Sequence, residues 1–147
     1  MIISEFLAER DVLLDLAVAD KAALLQRLAA QAAATLEAPS AEIAAALFAR
    51  EALGSTGTGS GVAVPHARLR RVTRPLGAFA RMRQAIAFDA IDDAPVDLVF
   101  LLLLPKGNEG RHLSALAAVA RKLRNPDMQA SLRRARSQAE LYAAICL

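Results

Sequence analysis

Cysteine, tryptophan and long apolar runs are scarce or missing in this sequence. The single cysteine, Cys146, permits no internal disulfide and no thiolate metal cluster, as is usual in the reducing cytoplasm. Aromatic residues make up only 4% of the chain, so we expect an aliphatic core and little base stacking on single-stranded nucleic acid. The longest apolar run, at 98–105, is too short to span a bilayer, and residues 1–6 do not form a signal peptide. These absences predict a soluble cytoplasmic protein with no membrane span.

The length and the charge of the chain limit the number of domains and the kinds of binding partner. With 147 residues, 55% of them hydrophobic and 22% charged, the chain is expected to fold as one globular domain over residues 1–147. A net charge of +3 allows binding to nucleic acid, to phosphate groups or to acidic protein surfaces. The arginine-rich run at 68–74 is the best candidate for a nucleic-acid patch, but a solvated loop or a surface for an acidic partner explains it as well. We favour the solvated loop and predict no nucleic-acid partner.

Apolar residues spaced three and four apart predict helices near both ends of the chain. Asp20 and Ser40 are the predicted N-caps of the first two helices. Two more helices are predicted after Pro105. Ser137 and Glu140 have the spacing of a capping box, which predicts one last helix.

Strands are predicted between these two groups of helices, with one weaker candidate before them. The predicted strands lie at 12–14, 62–64, 75–82, 87–89 and 96–104. The last is apolar throughout and bounded by prolines, which predicts a central strand buried on both faces. Residues 54–61 hold four glycines and are predicted to be a loop, because glycine weakens both helices and strands. Helices, strands and helices in this order indicate a layered α/β domain.

The segment 50–68 holds four of the seven glycines and one of only two histidines. A neutral imidazole is a good nucleophile near pH 7 and its phosphorylated form is a reactive donor, so phosphohistidine suits transfer between proteins. We therefore predict that His66 accepts a phosphoryl group, with one ring nitrogen held by a carbonyl so that the other presents its lone pair. The same segment supplies candidate groups for the phosphoryl oxygens, namely the guanidinium of Arg50, the hydroxyls of Ser55 and Thr56, and the backbone of Gly57, Gly59 and Gly61.

Nucleotide chemistry fits this segment poorly. It lacks the Gly-Lys-Ser/Thr ending of a P-loop, its glycine spacing fails the dinucleotide fingerprint, and no Mg²⁺ site is evident, so we expect neither a metal nor a cofactor. His112, at the predicted start of a helix behind the central strand, is predicted to hydrogen-bond the phosphoryl group or His66. Simpler alternatives stay open at this point: a solvent-facing His112, an Arg50 that only pairs with a glutamate, and hydroxyls that only bend the turn.

The segment also carries a family resemblance. Its pattern is Arg50-Glu51, Ser55-Thr56-Gly57, Gly59, Gly61, Ala63 and Pro65-His66. This resembles the enzyme IIA domain of the phosphoenolpyruvate phosphotransferase system, in its mannitol/fructose type. Residues 87–100 and the segment after His112 match as well, so the similarity covers nearly the whole chain and looks closest to the nitrogen-regulatory branch, enzyme IIA-Ntr. One departure is Ala67, where many relatives have glycine.

The resemblance implies a mixed β-sheet of about five strands flanked by helices. It implies that the phosphate is carried on Nε2 of His66, with Arg50 and His112 in support. The donor would be a small histidine phosphocarrier protein, HPr or its nitrogen-branch counterpart, charged by an enzyme I that uses phosphoenolpyruvate. Since no IIB or membrane domain is attached, we expect a phosphotransferase that regulates target proteins, such as kinases or transporters, by its phosphorylation state. The alternative is a sugar-specific enzyme IIA that passes phosphate to a IIB domain.

Overall fold

A computed structural model describes residues 2–107 and 109–147, with the side chains of 109–111 left outside the description. The helices are α1 (Lys21–Leu36), α2 (Ser40–Ala52), α3 (Glu109–Arg124), α4 (Pro126–Arg134) and α5 (Gln138–Cys146). The strands are β1 (Val12–Leu16), β2 (Gly57–Gly59), β3 (Val62–Ala63), β4 (His66–Leu69), β5 (Leu76–Ile86) and β6 (Val96–Pro105). Among these described residues, no helix is both long and apolar enough to cross a membrane.

Local side-chain chemistry sets two of the helix starts. Asp20 caps α1 as predicted, because its carboxylate accepts a hydrogen bond from the N–H of Ala23 at 2.9 Å. Ser137 caps α5 in the same way, through the N–H of Glu140 at 3.0 Å. The Glu140 side chain reaches back to the N–H of Arg136, at 3.1 Å, one residue before the position that a capping box predicts.

The strands form one mixed sheet with β6 at its centre. β6 runs antiparallel to β5 on one side and parallel to β3 and β4 on the other. β1 lies parallel to β5 at one edge, and β2 pairs antiparallel with β3 at the other. The described residues therefore confirm the predicted α/β class, with a sheet of six strands where about five were expected.

Side chains of β6 alternate between two apolar cores, one on each face of the sheet. The core under α1 and α2 takes Val99, Leu101 and Leu103. The core under α3, α4 and α5 takes Leu98, Phe100, Leu102 and Leu104. Because both faces of β6 are buried, this strand fixes the position of every element that pairs with it.

Several local predictions were wrong. Pro39, and not Ser40, is the N-cap of α2, and no side chain caps that end. Part of the predicted glycine loop is strand β2, because Gly57 and Gly59 pair with β3. Residues 68 and 69, interpreted as the start of a solvated loop, belong to strand β4, because residues 66–69 pair with the end of β6. Residues 87–89 are not a strand, since β5 already ends at Ile86.

Candidate functional site

His66 is the first residue of β4 and follows Pro65 directly. Its backbone pairs with Leu102 of β6, whose N–H also donates to the carbonyl of Pro65 at 2.9 Å. The ring nitrogen Nδ1 lies 2.8 Å from the carbonyl oxygen of Val64. Because a carbonyl can only accept, Nδ1 donates its proton there and Nε2 carries the lone pair. A nucleophilic histidine needs this arrangement.

The surroundings of His66 favour its neutral form. Burial is the main cause, and it lowers the pKa of the imidazole below its ordinary value of 6.5. The hydrogen bond to Val64 and the carboxylate of Glu51 act in the opposite direction. The guanidinium groups of Arg50 and Arg68 lower the pKa further, since a second positive charge beside them is unfavourable. At neutral pH the ring is therefore uncharged and able to act as a nucleophile.

His66 lines a surface cavity of about 510 Å³ between α2, β4 and α3. The other lining residues are Ala46, Ala49, Arg50, Leu53, Ala67, Arg68, Leu104, Leu113 and Leu116. Leu53 and Leu113 are large apolar side chains that are 85% and 55% exposed. A cavity with apolar walls and two arginines beside a neutral imidazole can hold an anionic group and limit its contact with water.

Arg50 lies in the last turn of α2 and lines the same cavity as His66. Its Nη1 donates to the carbonyl oxygen of Gly54 at 2.9 Å, which ties the side chain to the end of the helix. A guanidinium has five N–H donors, so this bond leaves others for an anion. The structure thus brings together two of the residues predicted for the site.

His112 lies in the first turn of α3 and is only 4% exposed, which rules out the solvent-facing alternative. Its Nδ1 is buried and has no hydrogen-bond partner among the described residues. Such an unpaired buried nitrogen is rare because it loses the hydrogen bond it had with water. The wall of the cavity includes the neighbouring Leu113 but not His112 itself. His112 therefore directly precedes a residue of the cavity wall, and its Nδ1 makes no hydrogen bond to the described residues.

The hydroxyls of Ser55 and Thr56 are engaged within the protein. Ser55 Oγ donates to the carbonyl of Phe88 at 2.9 Å and accepts from the N–H of Gly57 at 3.0 Å. Thr56 Oγ1 donates to one carboxylate oxygen of Glu51, and its N–H donates to the other at 3.2 Å. Neither residue lines the cavity described above. Their role as phosphate donors stays a prediction.

The three predicted glycines lie in the β2–β3 hairpin. Gly57 and Gly59 belong to β2, and Gly61 occupies the turn with a φ of +79°, a value that favours glycine. The carbonyl of Gly61 accepts hydrogen bonds from the N–H groups of Asp97 and Leu98, both at 3.0 Å. None of the three glycines lines the cavity, so their contact with phosphate also stays a prediction.

Glu51, whose carboxylate acts on the pKa of His66, was given no role by the sequence-based prediction. Its side chain is 5% exposed and forms an ion pair with Lys21 Nζ at 2.9 Å, in addition to its two bonds to Thr56. Lys21 Nζ also lies 4.5 Å from the centroid of the Phe88 ring. The one signal that could have pointed to Glu51 was its place beside Arg50 in the family pattern.

The arginine run at 68–74 does not form one uniform basic patch. Arg68 lines the cavity, while Arg71 pairs with Glu42 at 2.8 Å. In the part of the chain that the structure describes, no group of three or more histidine, cysteine, aspartate or glutamate residues could hold a metal ion.

Comparison with known proteins identifies the relatives of this chain. The family model for the phosphoenolpyruvate-dependent sugar phosphotransferase system, EIIA 2, matches residues 5–146. A nitrogen regulatory protein of Bradyrhizobium diazoefficiens is 46% identical over 101 residues, which cover 69% of this chain and 66% of that protein. The nitrogen regulatory protein of Escherichia coli K12 is 45% identical over 100 residues, covering 67% of this chain and 61% of the relative. The matched part thus spans less than two thirds of these relatives' own lengths.

A solved structure is similar over almost the full length. The crystal structure of nitrogen regulatory protein IIA-Ntr from Neisseria meningitidis superimposes with a TM-score of 0.92 at 38% identity. The match covers 97% of this chain and 98% of the Neisseria chain.

Proposed function

This chain belongs to the EIIA 2 family of the phosphoenolpyruvate-dependent sugar phosphotransferase system, and we propose that His66 is its phosphoryl acceptor. The observation that carries the proposal is the hydrogen bond from Nδ1 of His66 to the carbonyl of Val64, which leaves the Nε2 lone pair available. The lowered pKa of His66, caused mainly by burial, keeps that lone pair unprotonated at neutral pH.

The proposed step is an in-line transfer between two imidazoles. The Nε2 lone pair of His66 attacks the phosphorus of a phosphohistidine on the donor, a bond from phosphorus to Nε2 forms, and the donor's nitrogen–phosphorus bond breaks. The donor imidazole leaves with the electron pair of that bond. The Nδ1 proton of His66 stays on its bond to Val64, so no proton has to move during the transfer. The donor is a histidine phosphocarrier protein, HPr or its nitrogen-branch counterpart.

Arg50 and His112 are proposed to support the phosphoryl group. Arg50 lines the cavity of His66 and retains free N–H donors for the phosphoryl oxygens. His112 has a buried Nδ1 that no described residue binds, and it directly precedes Leu113, which lines the cavity. Hydrogen-bond donors that contact the phosphoryl group only during its transfer stabilise the transition state more than the ground state, and this raises the rate.

The output of this chemistry is proposed to be regulatory. The two relatives and the solved structure reported above are all named nitrogen regulatory proteins, which favours a role in which phosphorylation changes binding to target proteins such as kinases or transporters in the cytoplasm. The sugar-specific alternative, in which phosphate passes on to a IIB domain, has less support from these relatives.

Phosphorylation of the purified protein tests the proposal. Incubation with phosphoenolpyruvate, enzyme I and a histidine phosphocarrier should add one acid-labile phosphoryl group to the native chain and none to the His66→Ala variant. Circular dichroism of the variant controls for its folding. Equal labelling of the His66→Ala variant would show that another residue is the acceptor. Slow loss of the label when a fructose-type IIB domain is added supports the regulatory role, and rapid loss supports the sugar-specific one.

A further inference from the structure

A path of hydrogen bonds runs from the partly buried ion pair of Glu51 and Lys21 to the imidazole of His66. We propose that the carboxylate of Glu51 is a positioning group, which acts through the backbone of the hairpin to fix the tautomer of His66. Glu51 does not touch the reacting atoms in this scheme. The inference rests on the proposed phosphoacceptor role of His66 and adds a residue that sets how well this role is performed.

The path begins with the contacts of the Glu51 carboxylate. Its Oε2 accepts from Lys21 Nζ at 2.9 Å and from the N–H of Thr56 at 3.2 Å, while its Oε1 accepts from the Thr56 hydroxyl. The side chains of Glu51 and Lys21 are 5% and 19% exposed, so solvent screens this pair only weakly. Both oxygens are occupied, and Thr56 is held at two of its atoms.

The second step leads from Thr56 to the ring. The carbonyl oxygen of Thr56 accepts from the N–H of Val64 at 3.0 Å, and the carbonyl oxygen of Val64 accepts from Nδ1 of His66 at 2.8 Å. Between Val64 and His66 lies only Pro65, whose ring restricts φ and limits how the two can move apart. A shift of Thr56 therefore displaces the carbonyl that holds the Nδ1 proton.

The path is proposed to control which of the two neutral tautomers the His66 imidazole adopts. With the proton on Nδ1, Nε2 has the lone pair; with the proton on Nε2, the lone pair lies on Nδ1 and faces the interior. The carbonyl of Val64 stabilises only the first form, since it cannot donate. Loosening this bond lets the second form compete, and the second form cannot attack phosphorus through Nε2.

Substitutions at Thr56 distinguish a hydrogen bond that only stabilises the fold from one that positions His66. Thr56→Val removes the hydroxyl that binds Glu51 and keeps the shape of the side chain, while Thr56→Ser keeps the hydroxyl. Thr58→Val is the matched control, because Thr58 lies in the same hairpin and its hydroxyl donates to the carbonyl of Val62, at 3.4 Å, off the path. Ring ¹⁵N chemical shifts of His66 report its tautomer directly and need no phosphoryl donor.

We expect Thr56→Val to move the ring ¹⁵N shifts of His66 toward those of the Nε2–H tautomer. Its phosphotransfer kcat should fall roughly tenfold, the factor that one hydrogen bond to a charged group contributes, with KM for the phosphocarrier little changed. Thr56→Ser should restore most of what Thr56→Val loses in both measurements, and Thr58→Val should match the native protein. Glu51→Gln should act in the same direction as Thr56→Val, and it gives a second reading if the Thr56 variant folds poorly.

Unchanged ring shifts and kcat in folded Thr56→Val and Glu51→Gln proteins would overturn the inference. The same is true if Thr58→Val loses as much activity as Thr56→Val. These outcomes leave the phosphoacceptor role of His66 intact. Failure of that role shows itself separately, as phosphorylation of the His66→Ala variant.

Discussion

Nδ1 of His66 donates its proton to the carbonyl oxygen of Val64 across a distance of 2.8 Å. The two residues are separated by a single proline, so the bond is formed within a short segment of the chain. It assigns each ring nitrogen a separate task, with Nδ1 holding the proton and Nε2 presenting the lone pair. The proposed chemistry and the proposed role of Glu51 both depend on this assignment.

The rate of phosphorylation should depend on pH with a midpoint below 6.5. Burial and nearby arginines lower the pKa of His66 from its ordinary value of 6.5, so more than half of the imidazole is neutral at that pH. The rate at pH 6.5 should therefore exceed half of its plateau value. Initial rates with a pre-phosphorylated phosphocarrier measure this, and a midpoint above 6.5 would contradict it.

The same shift predicts a change in stability. As the pH falls through 6.5, the unfolded chain binds a proton at His66 before the folded chain does. The free energy of unfolding therefore decreases until the pH reaches the pKa of His66 in the folded protein. A His66→Asn variant lacks this titration. The native protein should lose more stability than the variant between pH 6.5 and the folded pKa, as measured by urea denaturation.

Replacement of Arg50 should slow phosphotransfer without unfolding the protein. Arg50→Gln removes donors from the cavity and should lower kcat by roughly a hundredfold, as expected for the loss of a group that stabilises transferred charge. The pKa of His66 should rise, since the Arg50 charge now lowers it. Arg50→Lys should restore part of both effects, while Arg70→Gln, at an exposed arginine, serves as the control. An unchanged kcat in Arg50→Gln would remove Arg50 from the site.

His112→Leu should lower the phosphotransfer activity and leave the stability of the protein almost unchanged. The buried Nδ1 of His112 has no hydrogen-bond partner among the described residues, so its loss should change the free energy of unfolding by less than about 1 kcal/mol. Phosphotransfer should still fall by at least roughly tenfold, because one proposed donor to the phosphoryl group is lost. Native activity in a stable His112→Leu protein would show that His112 has no part in the reaction.

Gly61→Ala should destabilise the hairpin that precedes His66. A Cβ at this position would lie 2.5 Å from Arg133 Nη2 and 2.8 Å from Asp97 Oδ1, and would disturb the ion pair between them. Positive φ adds strain, so the total loss should be about 2 kcal/mol. Gly107→Ala is the control, because its φ is +83° and a Cβ there would meet no atom of the described residues within 4 Å, so only the strain remains. Equal losses in the two variants would show that the contacts at Gly61 add nothing.

Features set by neighbouring residues could be predicted from the sequence. The caps at Asp20 and Ser137 depend on side chains that bind backbone three residues away, and both predictions are confirmed. The central strand was recognisable because both its faces are apolar. Ser40 misled the prediction, since Pro39 already supplies the extended backbone that a helix start needs.

Features set by distant pairing could not be predicted. Gly57 and Gly59 form a strand only because β3 lies beside them, and β4 exists only because it pairs with the end of β6. His66 and Arg50 line one cavity, while their roles in phosphotransfer stay a prediction. The hydrogen bond between the Thr56 hydroxyl and the carboxylate of Glu51 could not be predicted from the sequence, and the phosphate role of Thr56 stays a prediction.

The site of phosphorylation within the ring tests the central claim most directly. The native protein, uniformly labelled with ¹⁵N and phosphorylated by its phosphocarrier, should show phosphorus–nitrogen coupling at Nε2 of His66 and a proton on Nδ1. Phosphate on Nδ1 of His66, or on His112, would contradict the account, because the hydrogen bond between Nδ1 and Val64 would then not define the nucleophile.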